Sequence, residues 1–159
     1  TVLKNAGWAE KDLTHIACVT GPGGFTSLRV GVAFANALAH TLKIPSAAVH
    51  LSDLYAARMS VPNFAWLHST KTTAMFIRGF GSFAKIWPEA TLISIDDLRT
   101  NLPEKTVWTG EAIETHRALL EEKKCTSAAL AGLAETLPEF LEKLSYEKAL
   151  LQPWYGREG

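Results

Sequence analysis

The residues best placed to do chemistry stand together in Gly21-Pro22-Gly23-Gly24-Phe25-Thr26-Ser27-Leu28-Arg29. Three glycines so close together permit positive φ and close backbone approach, and a helix opening just after them would turn its free amides toward an anion such as a phosphate. The spacing is not that of a Walker loop, because no Lys-Ser or Lys-Thr pair closes it. It is not a dinucleotide fingerprint either, because the glycines fall as GxGG rather than GxGxxG. The same residues also suit a crowded strand-to-helix turn, in which glycines relieve the crowding and Phe25 fills the neighbouring core for roughly 1.5–3 kcal/mol. On residue types alone, this steric use is the stronger of the two.

Other chemistry-bearing residues are dispersed. His15, His40, His50, His68 and His116 include no pair three or four apart, the spacing of a helical metal site. His40 reads as a solvated helix residue, and His68 as a hydrogen-bonded edge residue at a strand end. There is no GxSxG nucleophile elbow. Asp96 and Asp97 suit the positive end of a helix dipole, and Glu121-Glu122-Lys123-Lys124 a solvated helix end. Cys18 lies in an apolar run and Cys125 is far away, without CxxC or Cys/His metal spacing, which points to a reducing, cytoplasmic setting. No metal or cofactor is expected. Sixteen Lys and Arg balance sixteen Asp and Glu, so no net field draws the chain to nucleic acid or an anionic membrane. The five tryptophans are scattered and form no stacking platform.

Several elements must position these residues. Thr1 to Gly7 reads as the last turn of a helix, with Gly7 as its C′ residue, so the chain is expected to begin inside an element. The unbroken apolar run in His15–Thr20 predicts a strand covered on both faces. A helix follows from Ser27 to Lys43, where Arg29, Asn36, His40 and Lys43 make one polar stripe. Leu28, Val32, Ala35 and Leu42 can face a sheet, whereas Val30, Ala33, Phe34, Ala37 and Leu38 widen the apolar surface beyond a single packing face, which implies a second partner. Ala47–Val49 predicts a second parallel strand, feeding a helix capped by Ser52. Phe64–Ser69, Thr72–Phe80 and Phe83–Trp87 predict an antiparallel meander of three strands. Ser94 caps a short helix, Val107–Thr109 is a strand, and helices follow from Glu111 to Glu122 and from Thr126 to Thr136, with Pro138 at the first position of another. The longest apolar region, Val30 to Leu42, is broken by Asn36, His40 and Thr41 and is too short to cross a membrane. No signal-peptide pattern opens the chain.

The run Val19 to Ala33 resembles the GPGSFTGLRIG signature of the TsaB family, also called YeaZ, with Ser27 where that family usually has glycine. Leu42 to Leu54 is similar to the family's helix end, strand and Ser-Leu turn. Ser127-Ala128-Ala129-Leu130 with Leu133-Ala134 resembles its late Ala-rich helix, and Pro153-Trp154-Tyr155-Gly156-Arg157-Glu158 its closing Pro-x-Tyr-x-Arg.

The resemblance implies an α/β actin-like ATPase or RNase H-like fold of two lobes. Residues 1–60 would be a remnant of the first lobe, lacking its opening Asp-Thr-Ser-like strand and meander. Residues 61–159 would form the second lobe, with a C-terminal tail returning towards the first. It implies a noncatalytic subunit for N6-threonylcarbamoyladenosine at tRNA position 37, binding the catalytic paralogue TsaD, with the ATPase TsaE joining through the complex. Contact with tRNA would be indirect, and a homodimer would form when the chain is alone. Gly21, Pro22, Gly23, Gly24, Phe25 and Thr26 would shape the turn, while Arg29, Val30, Ala33, Phe34, Ala37 and Leu38 would meet the partner. The alternative is a nucleotide-binding regulator or a degenerate relative of the actin-like ATPases.

Overall fold

The computed structural model describes residues 2–156. Thr1, Arg157 and Glu158, named above, lie outside them. The chain divides into two compact units, one running to Leu51 and including Glu139–Tyr155, the other built on Ser52–Pro138.

In the first unit a helical turn, α1 (Val2–Asn5), leads to strand β1 (Ile16–Gly21), helix α2 (Phe25–Leu42) and strand β2 (Ser46–His50). β1 and β2 pair in parallel, Ile16 opposite Ser46 and Val19 opposite Val49. Leu28, Val32 and Ala35 are the buried residues of α2, spaced at three and four residues as one helical face requires. Val32, Ala35 and Leu151 form a small core, with Ile16 and Cys18 packed against it. The expected cover on both faces of β1 is not found. Ala17 and Val19 are exposed, so β1 alternates although its sequence does not. Helix α2 ends where Lys43 takes the left-handed conformation and its amide bonds the carbonyls of Ala39 and His40; Pro45 then bars continuation.

The C-terminal segment belongs to this unit. Ser46 and Glu147 exchange backbone hydrogen bonds of 2.9 Å. The Asn36 amide donates to the Leu151 carbonyl at 3.0 Å and accepts from the Leu151 amide at 2.9 Å. Asn36, read as part of a solvated stripe, therefore acts as a strand edge for the returning chain, each bond contributing about 1 kcal/mol.

The second unit carries helix α3, which begins at Leu51 and runs to Ala57, and strands β3 (Phe64–Ser69), β4 (Ala74–Phe80), β5 (Thr91–Ser94), β6 (Val107–Glu111) and β7 (Thr126–Ser127). Among them lie helices α4 (Ile95–Asn101) and α5 (Glu114–Glu122), and α6 (Leu133–Glu142) follows β7, its residues from Glu139 on belonging to the first unit. Strand order is β5-β4-β3-β6-β7, antiparallel from β5 to β3 and parallel from β3 to β7. Ala65, Leu67, Met75, Ile77 and Trp108 bury one sheet face against Leu98 and Leu102 of the α4 region and Leu119 and Leu120 of α5. Ser94 caps α4 as expected, accepting from the Asp97 amide at 3.0 Å.

Several local expectations fail. Phe83–Trp87 is not a strand: the chain turns through a 3-10 segment, Gly81–Lys85, and folds back so that the Gly79 amide donates to the Trp87 carbonyl at 2.8 Å. A side chain at Gly79 would collide with the Phe83 carbonyl. The third strand of the meander is instead Thr91–Ser94. Ser52 does not cap α3 but lies wholly buried inside it, accepting from Arg78 at 2.8 Å. Thr126 opens no helix, because it completes the edge of β6, its amide bonding the Thr106 carbonyl at 3.0 Å. The last helix starts at Leu133 and runs through Pro138, which removes one backbone donor while half-buried Leu137, Phe140 and Leu141 keep a helical apolar face. No helix among the described residues is long and apolar enough to cross a membrane.

Candidate functional site

The glycine turn is shaped by the C-terminal tail. Gly21 is buried with φ +154°, a conformation L side chains rarely adopt, and a Cβ there would fall on the carbonyl of Trp154. The Trp154 amide donates to the Thr20 carbonyl at 2.8 Å, and the indole meets the His50 ring edge to face at 4.5 Å. The other two glycines do not use positive φ, contrary to the reading of all three. A Cβ at Gly23 would sit 3.3 Å from the Leu28 side chain, whereas one at Gly24 would find only Ser27 Oγ at 3.6 Å. Pro22 is buried behind the turn, and Thr26 is exposed. Phe25 does not fill the core. It is 59% exposed, tilted against Tyr155 with ring centroids 5.1 Å apart, and covered by the Arg29 guanidinium at 5.1 Å, while Leu28 takes the core position. The start of α2 has no side-chain cap.

The predicted partner residues fall largely on one exposed strip of α2. Val30 is 65% and Phe34 68% exposed; Arg29, Ala33 and Ala37 are exposed with them, and Leu38 is half-buried at the margin. A Cβ at Gly31 would meet nothing within 4 Å. The helix thus spends one apolar face on the β1–β2 sheet and leaves a second in solvent, where covering Val30 or Phe34 is worth about 1.5–3 kcal/mol each. A groove of about 570 Å³ lies elsewhere in this unit, between Asn36, His40 and Lys43 of α2 and Glu147–Leu150, and none of the predicted residues lines it.

Three polar clusters in the second unit were not foreseen as clusters, although His68 and Ser52 were each singled out in other roles. His116, 1% exposed, bonds the Thr72 carbonyl through Nε2 at 2.9 Å. That nitrogen must be the donor, so Nδ1 accepts the Ser69 hydroxyl proton at 2.7 Å, while Ser69 Oγ accepts from the Ile113 amide at 3.1 Å. Every function is consumed in tying the end of β3 to its following turn and to the start of α5. His68 is a buried residue on central strand β3, not an edge residue, stacked on Trp66 with 5.6 Å between centroids. Burial pushes its pKa down, partly countered by Glu111 at 3.8 Å. Glu111 also accepts from Tyr55 at 3.1 Å; burial first, and this carboxylate second, push the Tyr55 phenol up. Arg78 pairs with Asp53 at 2.7 Å as well as with Ser52. A polar residue at a strand end was the only sequence signal for any of these. Burial also pushes the thiols of Cys18 and Cys125 up, which leaves them poor nucleophiles. Among the described residues no group of three or more His, Cys, Asp or Glu is placed to hold a metal.

Residues 1–97 match the family model described as TsaD, tRNA N6-adenosine threonylcarbamoyltransferase. The tRNA threonylcarbamoyladenosine biosynthesis protein TsaB of Bacillus subtilis is 26% identical over 147 residues, 87% of this chain and 64% of that protein. A tRNA N6-adenosine threonylcarbamoyltransferase of Syntrophus aciditrophicus is 35% identical over 89 residues, 51% of this chain but only 26% of that protein. The chain thus spans about two thirds of the first relative and a quarter of the second. Among solved structures, a Pseudomonas aeruginosa protein described as uncharacterized with similarity to peptidase YEAZ superposes with a TM-score of 0.69 at 16% identity, covering 98% of this chain and 79% of that one. The fold is accordingly the mixed α/β fold of the actin-like, RNase H-like proteins.

Proposed function

The chain belongs to the TsaD/TsaB (YeaZ) family, and on that premise we propose that it is a noncatalytic subunit in the synthesis of N6-threonylcarbamoyladenosine on tRNA. It holds a TsaD-like catalytic paralogue through the outer face of α2. The observation that carries this reading is the exposed strip of Val30, Ala33, Phe34 and Ala37 on a helix whose other face is already packed. A contiguous exposed apolar strip marks an interaction surface. The relative matched over most of the chain, named for biosynthesis rather than transfer, supports the same assignment. A TsaE-like ATPase joins through the complex in the cytoplasm, tRNA is met through the catalytic partner, and a homodimer uses the α2 face when the partner is absent.

The test is size-exclusion chromatography with light scattering on the chain, alone and mixed with the TsaD-like protein of the same organism. A one-to-one complex is expected. Phe34→Asp, a change at an exposed position, should weaken it at least about tenfold without unfolding the chain. A folded chain that ignores the paralogue would refute the assignment.

The uncapped start of α2 favours a second reading, an anion-binding regulator. Titration with ADP separates the two, since a ligand at a hundred times its dissociation constant adds about 2.7 kcal/mol of stability. The subunit reading expects no such gain.

A further inference from the structure

We infer that the partner surface continues from α2 onto the C-terminal tail, where Phe25, Arg29 and Tyr155 form an anchor for a partner surface presenting a carboxylate among apolar side chains. This rests on the proposed role of the α2 face. The three residues come from separate parts of the first unit, the first turns of α2 and the segment after Trp154. They are brought together because the Trp154 backbone sits against Gly21. Phe25 and Tyr155 remain 59% and 42% exposed after packing on each other, so each ring offers a free flank. Such aromatic pairs with a neighbouring arginine are the residue types that dominate interface energetics.

The charge identifies the occupant. Arg29 stands over the Phe25 ring, and its guanidinium forms no ion pair with any carboxylate of the described residues. The planar fork is held by the ring and, among the described residues, its donors are unspent, which suits a carboxylate received edge-on. A wholly apolar partner would leave that charge desolvated and unpaired, at a loss. Phe25, Arg29 and Ala33 follow one another at four-residue steps along α2, so a single partner surface can cover both the strip and the aromatic pair.

The experiment compares binding of the TsaD-like paralogue by the unaltered chain and by the Tyr155→Ala, Arg29→Glu and Arg29→Lys variants, each first checked for unchanged thermal unfolding. Tyr155→Ala and Arg29→Glu should each weaken binding about tenfold or more, with Arg29→Lys falling between. For Arg29→Glu the loss should shrink as salt is raised. If the unaltered chain and Tyr155→Ala bind alike, the tail is no part of the surface and the inference fails while the α2 assignment stands. If Arg29→Glu binds as well as the unaltered chain, the carboxylate is refuted. If the unaltered chain does not bind, both readings fall together. Where Tyr155→Ala unfolds early, Tyr155→Leu, which keeps apolar bulk without the ring, replaces it with the same expectation, and where Arg29→Glu unfolds early, Arg29→Gln replaces it.

Discussion

Replacing Gly21 by alanine tests the account of the glycine turn most directly. The added methyl would occupy the space of the Trp154 carbonyl, and the residue would be held at φ +154°. Neither problem can be relieved locally, because the colliding atom is backbone. Relief therefore means withdrawal of the tail, which forfeits the Trp154 hydrogen bond to Thr20, the His50–Trp154 contact and the Phe25–Tyr155 pair. One hydrogen bond contributes about 1 kcal/mol, and aromatic pairs about 0.5–1.5 kcal/mol. Withdrawal of the tail therefore costs about 2–4 kcal/mol, and a tail that stays leaves backbone strain of order 1–3 kcal/mol together with the collision. Denaturant unfolding followed by tryptophan fluorescence reads this, with hydrogen exchange at β1 and β2 locating the loss in the first unit. Gly31→Ala is the control of opposite sign. It lies mid-helix with open space around its Cβ, so alanine there should stabilise by about 0.5–1 kcal/mol. A Gly21→Ala chain with unchanged midpoint and β1 protection would show that the tail does not need this glycine, and the turn would return to the anion reading.

Other expectations concern the second unit. His116→Ala should cost about 2–4 kcal/mol, because it opens a cavity and strands the Thr72 carbonyl, and Ser69→Ala about 1–3 kcal/mol, because it leaves His116 Nδ1 and the Ile113 amide without their partner; both are read by thermal unfolding, and a neutral Ser69→Ala would dissolve the clamp. For His68 the folded pKa is lowered by burial, so as pH falls below the ordinary imidazole value of about 6.5 the unfolded chain takes up the proton first. Stability should therefore decline from about pH 6.5 down to the depressed folded value and be insensitive to this group above about pH 6.5. Comparing unfolding of the unaltered and His68→Gln chains across that range isolates the slope, and an identical slope in both would remove His68 as its source.

What the sequence made legible follows from how local each determinant is. The order of β1, the glycine turn, α2 and β2 was readable because apolar periodicity, three glycines and Pro45 all act within a few residues. So was the second apolar face of α2, since Val30, Ala33, Phe34 and Ala37 exceed what one sheet contact consumes. Determinants set by distant partners were not readable. Thr126–Ser127 has the composition of a helix start and becomes a strand only because β6 offers an open edge. Phe83–Trp87 has strand composition but is bent by Gly79 and Gly81, whose roles depend on the crossing backbone. Ser52 has the type and place of a cap and is instead claimed by Arg78, 26 residues away.

The glycine turn shows the same distinction at the site itself. Its residue types were compatible with a phosphate cradle and with a steric turn, and the deciding atom, the Trp154 carbonyl, lies 133 residues beyond Gly21. Once that atom is in place the signature has a positive task. Gly21 admits the tail, the tail brings Tyr155 to Phe25, and Phe25 holds Arg29 at the head of the exposed strip. If that surface faces a partner, as proposed above, the turn needs Gly21 without binding a nucleotide. That is why the Gly21 variant and the ADP titration should be read together: a chain that loses paralogue binding on Gly21→Ala, yet gains no stability from ADP, uses the turn for assembly.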